Sequence, residues 1–303
     1  MSKKIIITGA TGLIGKKITN KLLSRGDNVT VISRSSRKAF NCFSNRVEIV
    51  KWSHNDLALK LEAADSVVHL AGENVLSRRW NEEFKKILYD SRIKTTKMLI
   101  DAIEKTKVKP KSFICASAIG YYVNGNFNSE FTEDSPPGNS FMSTLVNDWE
   151  KTAALVEAYN VRRVSIRIGV VLNKNEGALA KMQIPFKLFV GGKIGSGKQW
   201  VPWIHIDDLV DLFLYAIDNE NVKGAINGVS TGAVTMKEFT KTLGNVLNKP
   251  SFFSVPAFMV KLVIGEAAEV VSKGAKVKPQ KTLGLGFEFS YTNLKKALKD
   301  LLD

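Results

Sequence analysis

The chain has 303 residues, of which 44% are hydrophobic, so it is long enough to bury a large core as one α/β domain or two joined lobes. It contains no apolar run of membrane-spanning length, and its two distant cysteines, with three histidines and no Cys-x-x-Cys pair, favour a reduced cytoplasmic protein without a metal site. The formal net charge of +15 is spread along the sequence without a zinc finger, an RRM signature or a basic block, which favours an anionic small ligand over nucleic acid.

Apolar strands alternate with helices over the first part of the chain. The predicted strands are, in order, KKIIITG, NVTVISR, VEIVKW, DSVVHLAG, KSFICASA and VRRVSIRIG. Between them, helices are predicted in LIGKKITNKLLSRG, from about Arg78 to Lys107 and from Asn139 to Tyr159. Continuous apolar strands separated by helices indicate a doubly wound, Rossmann-like parallel sheet that is covered on both faces.

A glycine-rich turn, TGATGLIG, joins the first strand to the first helix over residues 8–15. Gly9 permits the tight turn, Gly12 lets backbone N–H groups approach a pyrophosphate at the positive end of the helix, and Gly15 allows close packing of the helix on the strand. The predicted contacts of this turn are Gly9, Thr11, Gly12, Leu13, Ile14 and Gly15. The pattern, between a strand and a helix, predicts dinucleotide binding.

The end of the second strand selects the dinucleotide. NAD-binding folds usually present an acidic residue here to the adenosine ribose, whereas this strand ends in Ser33 and Arg34, with Arg37 three residues later. A hydroxyl and two guanidinium groups suit a 2′-phosphate, so the sequence predicts NADP(H) as the cofactor. A solvated turn would explain Ser35 and Ser36 equally well, but it explains Arg34 less well.

Five segments together resemble an extended short-chain dehydrogenase/reductase of the NAD-dependent epimerase/dehydratase type: TGATGLIG, HLAGENV, ICASAIGYY, RIGVVL and WIHIDDLV. The finer pattern is similar to the branch named "epimerase family", also called cell-division-inhibitor SulA-like, over essentially the whole chain, including its C-terminal domain of unknown function. The resemblance implies further cofactor contacts at Leu70, Ala71, Gly72, Arg92, Ala116, Gly169 and Val171. It also implies a catalytic role for Ser117, at the end of the fifth strand.

The chain departs from the wider family at its catalytic helix. That family uses a Tyr-x-x-x-Lys pair, in which the lysine lowers the tyrosine pKa, but Phe141 and Leu145 stand at the best-matching positions here. Neither side chain can transfer a proton. Tyr121 and Tyr122 are the nearest replacements, although a tyrosine at a strand end more often packs or contacts substrate. The catalytic residues that we predict are therefore Ser117, Tyr121 and Tyr122.

A second glycine loop, GGKIGSGKQW at residues 191–200, looks like a phosphate loop that lacks its magnesium-binding hydroxyl. Pro202 and an extended segment follow it in place of the helix that a phosphate loop requires, so we do not expect an NTPase. We expect instead a mobile loop beside a substrate cleft, with Lys198 available to an anionic group and Gln199 and Trp200 lining the cleft.

The regular alternation weakens beyond the sixth strand. Loops, a helix that Asp207 or Asp208 is expected to cap, and the segment AINGVS indicate a smaller lobe. We predict an NADP-binding Rossmann-like domain at 1–170, whose sheet later segments help to complete, an interleaved substrate-side lobe at 171–247, and a C-terminal helical segment at 248–303.

Two functions are compatible with these features. The first is an NADP(H)-dependent oxidoreductase or epimerase acting on a small, anionic or nucleotide-linked sugar or carbonyl substrate, for which Glu73 is a further predicted contact. The second is a non-catalytic protein that holds NADP(H) and acts through a protein partner, which the missing Tyr-x-x-x-Lys pair favours. A homodimer is an expectation from the resemblance.

Overall fold

The computed structural model describes residues 2–52, 54–123, 129–256, 265–266 and 274–303. In these residues the strands are β1 (Lys4–Thr8), β2 (Asn28–Ser33), β3 (Glu48–Lys51), β4 (Ser66–His69), β5 (Ser112–Ala118), β6 (Glu130–Phe131), β7 (Arg162–Ile168), β8 (Val170–Leu172), β9 (Gly192–Ile194), β10 (Trp200–Val201), β11 (Trp203–His205), β12 (Gly224–Gly228), β13 (Val234–Thr235), β14 (Phe253–Val255) and β15 (Lys276–Val277). The helices are α1 (Leu13–Ser24), α2 (Ser36–Phe43), α3 (His54–Leu61), α4 (Glu82–Glu104), α5 (Phe141–Ala154), α6 (Gly177–Lys187), α7 (Ile206–Asp218), α8 (Met236–Leu247), α9 (Gln280–Gly284) and α10 (Leu294–Leu302).

Seven of these strands form one parallel sheet in the order β12-β7-β5-β4-β1-β2-β3. The chain proceeds outward from β1 to β3 on one side, and then returns to β4 and proceeds outward to β12 on the other side. The strand order therefore reverses between β1 and β4, which is where open α/β sheets bind ligands at the carboxyl ends of their strands. The predicted doubly wound sheet is confirmed, and all six predicted strands lie in it.

The apolar strands are buried because helices cover the sheet. Ile5, Ile6 and Ile7 of β1 are fully buried, and Ile18 and Leu22 of α1 belong to the same core cluster. Complete burial of one such side chain contributes about 1.5–3 kcal/mol. Tertiary packing of this apolar face, more than helix propensity, therefore holds α1 beside the glycine turn.

Polar caps make two helices shorter than predicted. Helix α4 begins after Asn81, whose side chain accepts a hydrogen bond from the backbone N–H of Phe84, and not at Arg78. Helix α5 begins after Ser140, whose side chain accepts a hydrogen bond from the backbone N–H of Ser143. Each cap satisfies an amide that the first helical turn leaves unbonded, so it fixes where the helix starts.

The segment AINGVS, expected in the smaller lobe, contributes β12, which pairs with β7 and completes the main sheet. The smaller lobe has its own apolar core, in which helices α6, α8 and α10 and strand β11 meet. Its buried members include Leu179, Trp203, Phe239, Leu243 and Leu298. None of the helices that the structure describes is both long and apolar enough to cross a membrane.

The start of α7 joins the two lobes. The prediction that Asp207 or Asp208 caps this helix is wrong, because His205 Nδ1 accepts the backbone N–H of Asp207 at 3.2 Å. The buried Asp208 carboxylate accepts instead from the backbone N–H groups of Ser290 (2.9 Å) and Tyr291 (3.0 Å). It therefore anchors the C-terminal segment to the main domain.

Candidate functional site

The glycine turn between β1 and α1 is shaped to receive an anion. Gly9 has a φ of +71°, and a Cβ there would lie 2.6 Å from the carbonyl carbon of Leu70. A Cβ on Gly15 would lie 2.3 Å from the carbonyl oxygen of Gly9, so the helix packs on the strand only because Gly15 lacks a side chain. Gly12 is exposed, and among the described residues no side chain caps α1. The helix start therefore fits a phosphate group. Half-buried around it lie Thr11, Leu13 and Ile14.

The end of β2 presents two cations. The Ser33 hydroxyl is bound within its own turn, where it donates to the backbone oxygen of Ser35 at 3.1 Å. Ser35 caps α2 by accepting the N–H of Lys38 at 3.2 Å. Arg34 and Arg37 are exposed, and neither makes a hydrogen bond or ion pair with the part of the chain that is described. Both guanidinium groups are therefore available to a phosphate, as the sequence predicts.

Arg92 braces the loop after β4. Its guanidinium donates to the backbone oxygens of Glu73 (3.0 Å) and Leu88 (3.1 Å), and it lies over the Trp149 ring, 5.3 Å from the ring centroid. A Cβ on Gly72 would lie 3.3 Å from the guanidinium carbon. The structure thus shows a supporting role for Arg92, which positions the predicted contacts Leu70, Ala71 and Gly72. The Glu73 carboxylate is bound within the same loop, where it accepts the Ser77 hydroxyl at 3.2 Å.

A network of hydrogen-bonded, buried polar groups lies behind this loop. Its one sign in the sequence is a histidine within an apolar strand. His69 Nδ1 lies 2.7 Å from Thr8 Oγ1, and His69 Nε2 lies 3.0 Å from Thr96 Oγ1. The Thr8 hydroxyl also accepts the N–H of Ala71 at 3.3 Å. Complete burial lowers the pKa of His69 to about 3, so the imidazole is neutral. These hydrogen bonds hold the ends of β1 and β4 together at the point where the strand order reverses.

Ser117 ends β5 and is tied to α5 and β7 by a buried ion pair. Its hydroxyl donates to Glu150 Oε1 at 2.5 Å. Arg167 donates to both oxygens of the same carboxylate, from Nε to Oε1 and from Nη2 to Oε2, each at 2.8 Å. The Arg167 side chain is 5% exposed and the Glu150 side chain 11%. Neither Glu150 nor Arg167 is among the residues predicted from the sequence, although an arginine within the apolar strand VRRVSIRIG is the kind of signal that could have revealed the pair.

The two predicted catalytic tyrosines lie in different environments. Tyr122 is fully buried, and its hydroxyl accepts from Arg167 Nη1 (2.7 Å) and donates to Asn227 Oδ1 (2.9 Å). Burial raises the pKa of Tyr122 to about 12. Tyr121 is half-buried, with its ring centroid 3.6 Å from the Arg167 guanidinium carbon, and its hydroxyl has no hydrogen-bond partner among the described residues. Of the two hydroxyls, that of Tyr121 is the one without a partner in the described part of the chain, and Tyr122 packs against its ring.

The residues at the expected Tyr and Lys positions are packed into the protein. Phe141 meets Trp80 edge-on, with ring centroids 5.6 Å apart, and Leu145 is fully buried. Helix α5 therefore presents no proton-transferring group at either position. The ion pair of Glu150, little more than one turn farther along this helix, is what links α5 to Ser117.

Three further predicted cofactor contacts lie in β5, in β8 and in the turn between β7 and β8. Ala116 is 8% exposed, and Val171 is half-buried against the main core. Gly169 donates its N–H to the carbonyl oxygen of Gly228 at 3.0 Å, and a Cβ on it would lie 2.5 Å from the carbonyl oxygen of Pro202. The structure thus accounts for Gly169 by close backbone packing, whereas Ala116 lies within β5 near its carboxyl end and Val171 lies within β8.

The second glycine loop is anchored at both of its ends. Strand β9 pairs with β14, and β10 pairs with β13. Gln199 is 3% exposed and donates to the carbonyl oxygen of Ile194 at 3.0 Å, so its side chain supports the loop conformation. Lys198 is exposed, and the Lys276 ammonium lies 4.8 Å from the ring centroid of Trp200. Strands follow the loop where a phosphate loop would have a helix, which agrees with the rejection of an NTPase.

The profile described as the NAD dependent epimerase/dehydratase family matches residues 5–227. The chain belongs to this family. A second profile, a domain of unknown function (DUF1731), matches residues 255–301, in agreement with the predicted C-terminal segment of the epimerase family branch.

Relatives span the whole chain. Epimerase family protein SDR39U1 of Mus musculus is 40% identical over 303 residues, which cover 99% of each chain. The crystal structure of human epimerase family protein SDR39U1 with NADPH is 38% identical, covers 98% of both chains and has a TM-score of 0.88. The crystal structure of the nucleoside-diphosphate sugar epimerase from Corynebacterium glutamicum is 28% identical, with a TM-score of 0.79, and the match covers 100% of this chain and 58% of that one.

Proposed function

We propose that the protein binds NADP(H) at the carboxyl ends of β1 and β2. The turn from Gly9 to Gly15 would receive the pyrophosphate, because its helix start carries no side-chain cap among the described residues. Arg34 and Arg37 would receive the 2′-phosphate, because both are exposed and without an ionic partner in the described residues. The NADPH in the human structure, which is 38% identical to this chain, supports this choice of dinucleotide.

We propose further that the protein is an oxidoreductase or epimerase acting on a nucleotide-linked sugar or a small anionic carbonyl compound. The observation that carries this proposal lies at the carboxyl end of the sheet. There Arg167 lies against the Tyr121 ring and binds the Glu150 carboxylate, which accepts the Ser117 hydroxyl. When bound, the nicotinamide would accept or supply a hydride. Ser117 would contact the substrate oxygen, and Tyr121, whose hydroxyl has no partner among the described residues, would contact the substrate beside it. The C. glutamicum nucleoside-diphosphate sugar epimerase supports the substrate class.

The test combines cofactor binding with turnover. Purified protein is titrated with NADPH by nucleotide fluorescence and then supplied with UDP-glucose, UDP-glucuronic acid, UDP-N-acetylglucosamine and simple aldehydes, while nicotinamide absorbance and sugar epimers are followed. We expect Ser117→Ala to lower kcat about 100-fold without changing NADPH affinity. Ser112→Ala, at the buried opposite end of the same strand, is the matched control and should keep its kcat. Tight NADPH binding without turnover of any compound would refute the catalytic proposal.

A second function has an observation in its favour. Phe141 and Leu145 replace the Tyr-x-x-x-Lys pair, and both are packed against other side chains. A non-catalytic NADP(H)-binding protein that acts through a partner would need no proton donor there. In that case Ser117→Ala would leave the cellular role of the protein intact, whereas Arg34→Ala, through loss of NADP(H), would abolish it.

A further inference from the structure

The hydrogen bond between Ser117 and Glu150 has a defined direction. Arg167 makes two hydrogen bonds to the Glu150 carboxylate, and a guanidinium does not lose its proton in a protein. The carboxylate in turn raises the pKa of Arg167 above its ordinary value, against the opposing effect of burial. The pair is therefore ionised, and an ionised carboxylate can only accept hydrogen bonds.

The direction of this bond determines what Ser117 can offer to a ligand. A serine hydroxyl has one proton, and here that proton lies on the 2.5 Å bond to Glu150 Oε1. No group in the described residues donates to the lone pairs of Ser117 Oγ, so towards a ligand Ser117 is an acceptor in the resting protein. An acceptor pairs with a substrate hydroxyl, which donates a hydrogen bond, and leaves a substrate carbonyl without a partner.

From this geometry we propose that Ser117 and Glu150 form a proton relay, so that the site is preorganised for the hydroxyl form of its substrate; this inference rests on the proposed function. On oxidation, the substrate O–H proton passes to Ser117 Oγ while the Ser117 proton passes to Glu150 Oε1. The adjacent C–H bond breaks, and its electron pair leaves with the hydrogen as hydride, which NADP⁺ takes up. The alcohol becomes a carbonyl, Glu150 becomes a neutral carboxylic acid, and reduction is the reverse of each transfer.

Arg167 sets the geometry of the relay. Besides Glu150 it binds the Tyr122 hydroxyl (2.7 Å) and the backbone oxygen of Glu133 (3.1 Å), and it lies against the Tyr121 ring. These contacts fix the carboxylate oxygen that receives the Ser117 proton. Glu150 acts through Ser117 and is a positioning and proton-accepting residue, so proton transfer needs no residue at the Phe141 and Leu145 positions.

The kinetic test compares Glu150→Gln with Glu150→Asp, using UDP-glucose as the hydroxyl probe. We expect Glu150→Gln to lower kcat about 100-fold, to leave KM within a few-fold and to remove the acid limb of the kcat–pH profile. Glu150→Asp, which keeps a carboxylate, should restore part of kcat and the acid limb. Asp208→Asn is the matched control, since it removes a buried carboxylate that binds Ser290 and Tyr291, and it should keep the profile.

A binding measurement is independent of turnover. UDP-6-deoxyglucose and UDP-4-keto-6-deoxyglucose, which differ only in a hydroxyl or a carbonyl at C4, serve as hydroxyl and carbonyl probes and are titrated into cofactor-free protein by calorimetry. We expect the hydroxyl probe to bind the wild type on the order of tenfold more tightly, which is the difference that one hydrogen bond makes, and Glu150→Gln to lose this preference. If Glu150→Gln does not fold, because it leaves Arg167 unpaired, the neutral pair Glu150→Gln/Arg167→Met takes its place, with the same expected result.

Three outcomes overturn the relay. Turnover by the wild type with an unchanged pH profile in Glu150→Gln would refute the relay and leave the proposed function standing. Loss of the acid limb in Tyr121→Phe but not in Glu150→Gln would assign the proton to Tyr121. A wild type that binds neither probe and turns over no nucleoside-diphosphate sugar would refute the relay and the catalytic proposal together.

Discussion

Acid should destabilise this fold by protonating His69. The imidazole is fully buried between two threonine hydroxyls, and its pKa is about 3 in the folded protein against an ordinary value of 6.5 for a solvated histidine. Because the pKa of His69 is lower in the folded protein, His69 of the unfolded chain is protonated first as the pH falls. The contribution to stability is therefore complete above about pH 6.5 and is lost progressively as the pH falls from there towards 3.

The magnitude follows from the slope of the titration. One extra proton in the unfolded state changes the free energy of unfolding by about 1.4 kcal/mol per pH unit. Between pH 6.5 and pH 4.5 the loss from His69 is then about 2.5 kcal/mol, a substantial part of a domain stability of about 5–15 kcal/mol. Carboxylates also begin to titrate at the lower end of this range, so the effect is read as a difference between variants.

Urea unfolding of the wild type and of His69→Gln over this pH range measures that difference. Glutamine cannot titrate, so the free energy of unfolding of the wild type should fall relative to that of His69→Gln by about 2.5 kcal/mol. Thr96→Val removes the hydrogen-bond partner of His69 Nε2 without removing the imidazole. The free energy of unfolding of this variant should therefore still fall as the pH is lowered. Parallel curves for the wild type and His69→Gln would refute the view that this histidine is neutral in the fold.

Three further variants test the cofactor turn and the substrate side. Arg34→Ala should weaken NADPH affinity at least about tenfold and leave NADH affinity unchanged in fluorescence titrations, and an equal loss for both would remove the 2′-phosphate assignment. Gly15→Ala should lower the free energy of unfolding by about 1–3 kcal/mol, because its Cβ would lie 2.3 Å from the Gly9 oxygen, whereas Gly284→Ala, with nothing within 4 Å, should be tolerated in the same denaturation assay. Lys198→Ala should weaken UDP-sugar binding in calorimetry with NADPH affinity unchanged, and unaltered sugar binding would remove Lys198 from the site.

The fold and the cofactor turn could be predicted because their signals are local. Each strand of a parallel sheet that is covered on both faces is a continuous apolar run, which the sequence displays without knowledge of its neighbours. Gly9, with a φ of +71°, and Gly15, whose Cβ would meet the Gly9 oxygen, are likewise required by the local geometry of one strand–turn–helix unit. Strand β12 is the exception, since AINGVS is short and polar in part and joins the sheet only through its pairing with β7.

The supporting residues could not be predicted because their partners are distant in sequence. Ser117 and Glu150 are 33 positions apart, and they meet because the chain order places β5 beside β7 and α5 against both strands. Gln199 is predicted to line a cleft, but its burial and its hydrogen bond to Ile194 depend on the loop conformation, which the sequence does not display. His205 replaces the expected aspartate cap for a similar reason, because Asp208 is bound to the C-terminal segment.

The buried ion pair between Glu150 and Arg167 costs desolvation free energy, and its location indicates that it serves the site. Moving a carboxylate and a guanidinium out of water costs several kcal/mol per ion, and apolar residues of the same volume would often stabilise a core as well or better. Glu150 and Arg167 nevertheless lie at the carboxyl end of the sheet, where ligands bind, and the Glu150 carboxylate directs its hydrogen bonds to Arg167 and Ser117. Phe141 and Leu145, at the positions of the missing pair, are apolar and packed against their neighbours. The polar chemistry of α5 thus lies farther along the helix than in the wider family, about one and a half turns after Leu145 and about two and a half turns after Phe141, on the residue that holds Ser117.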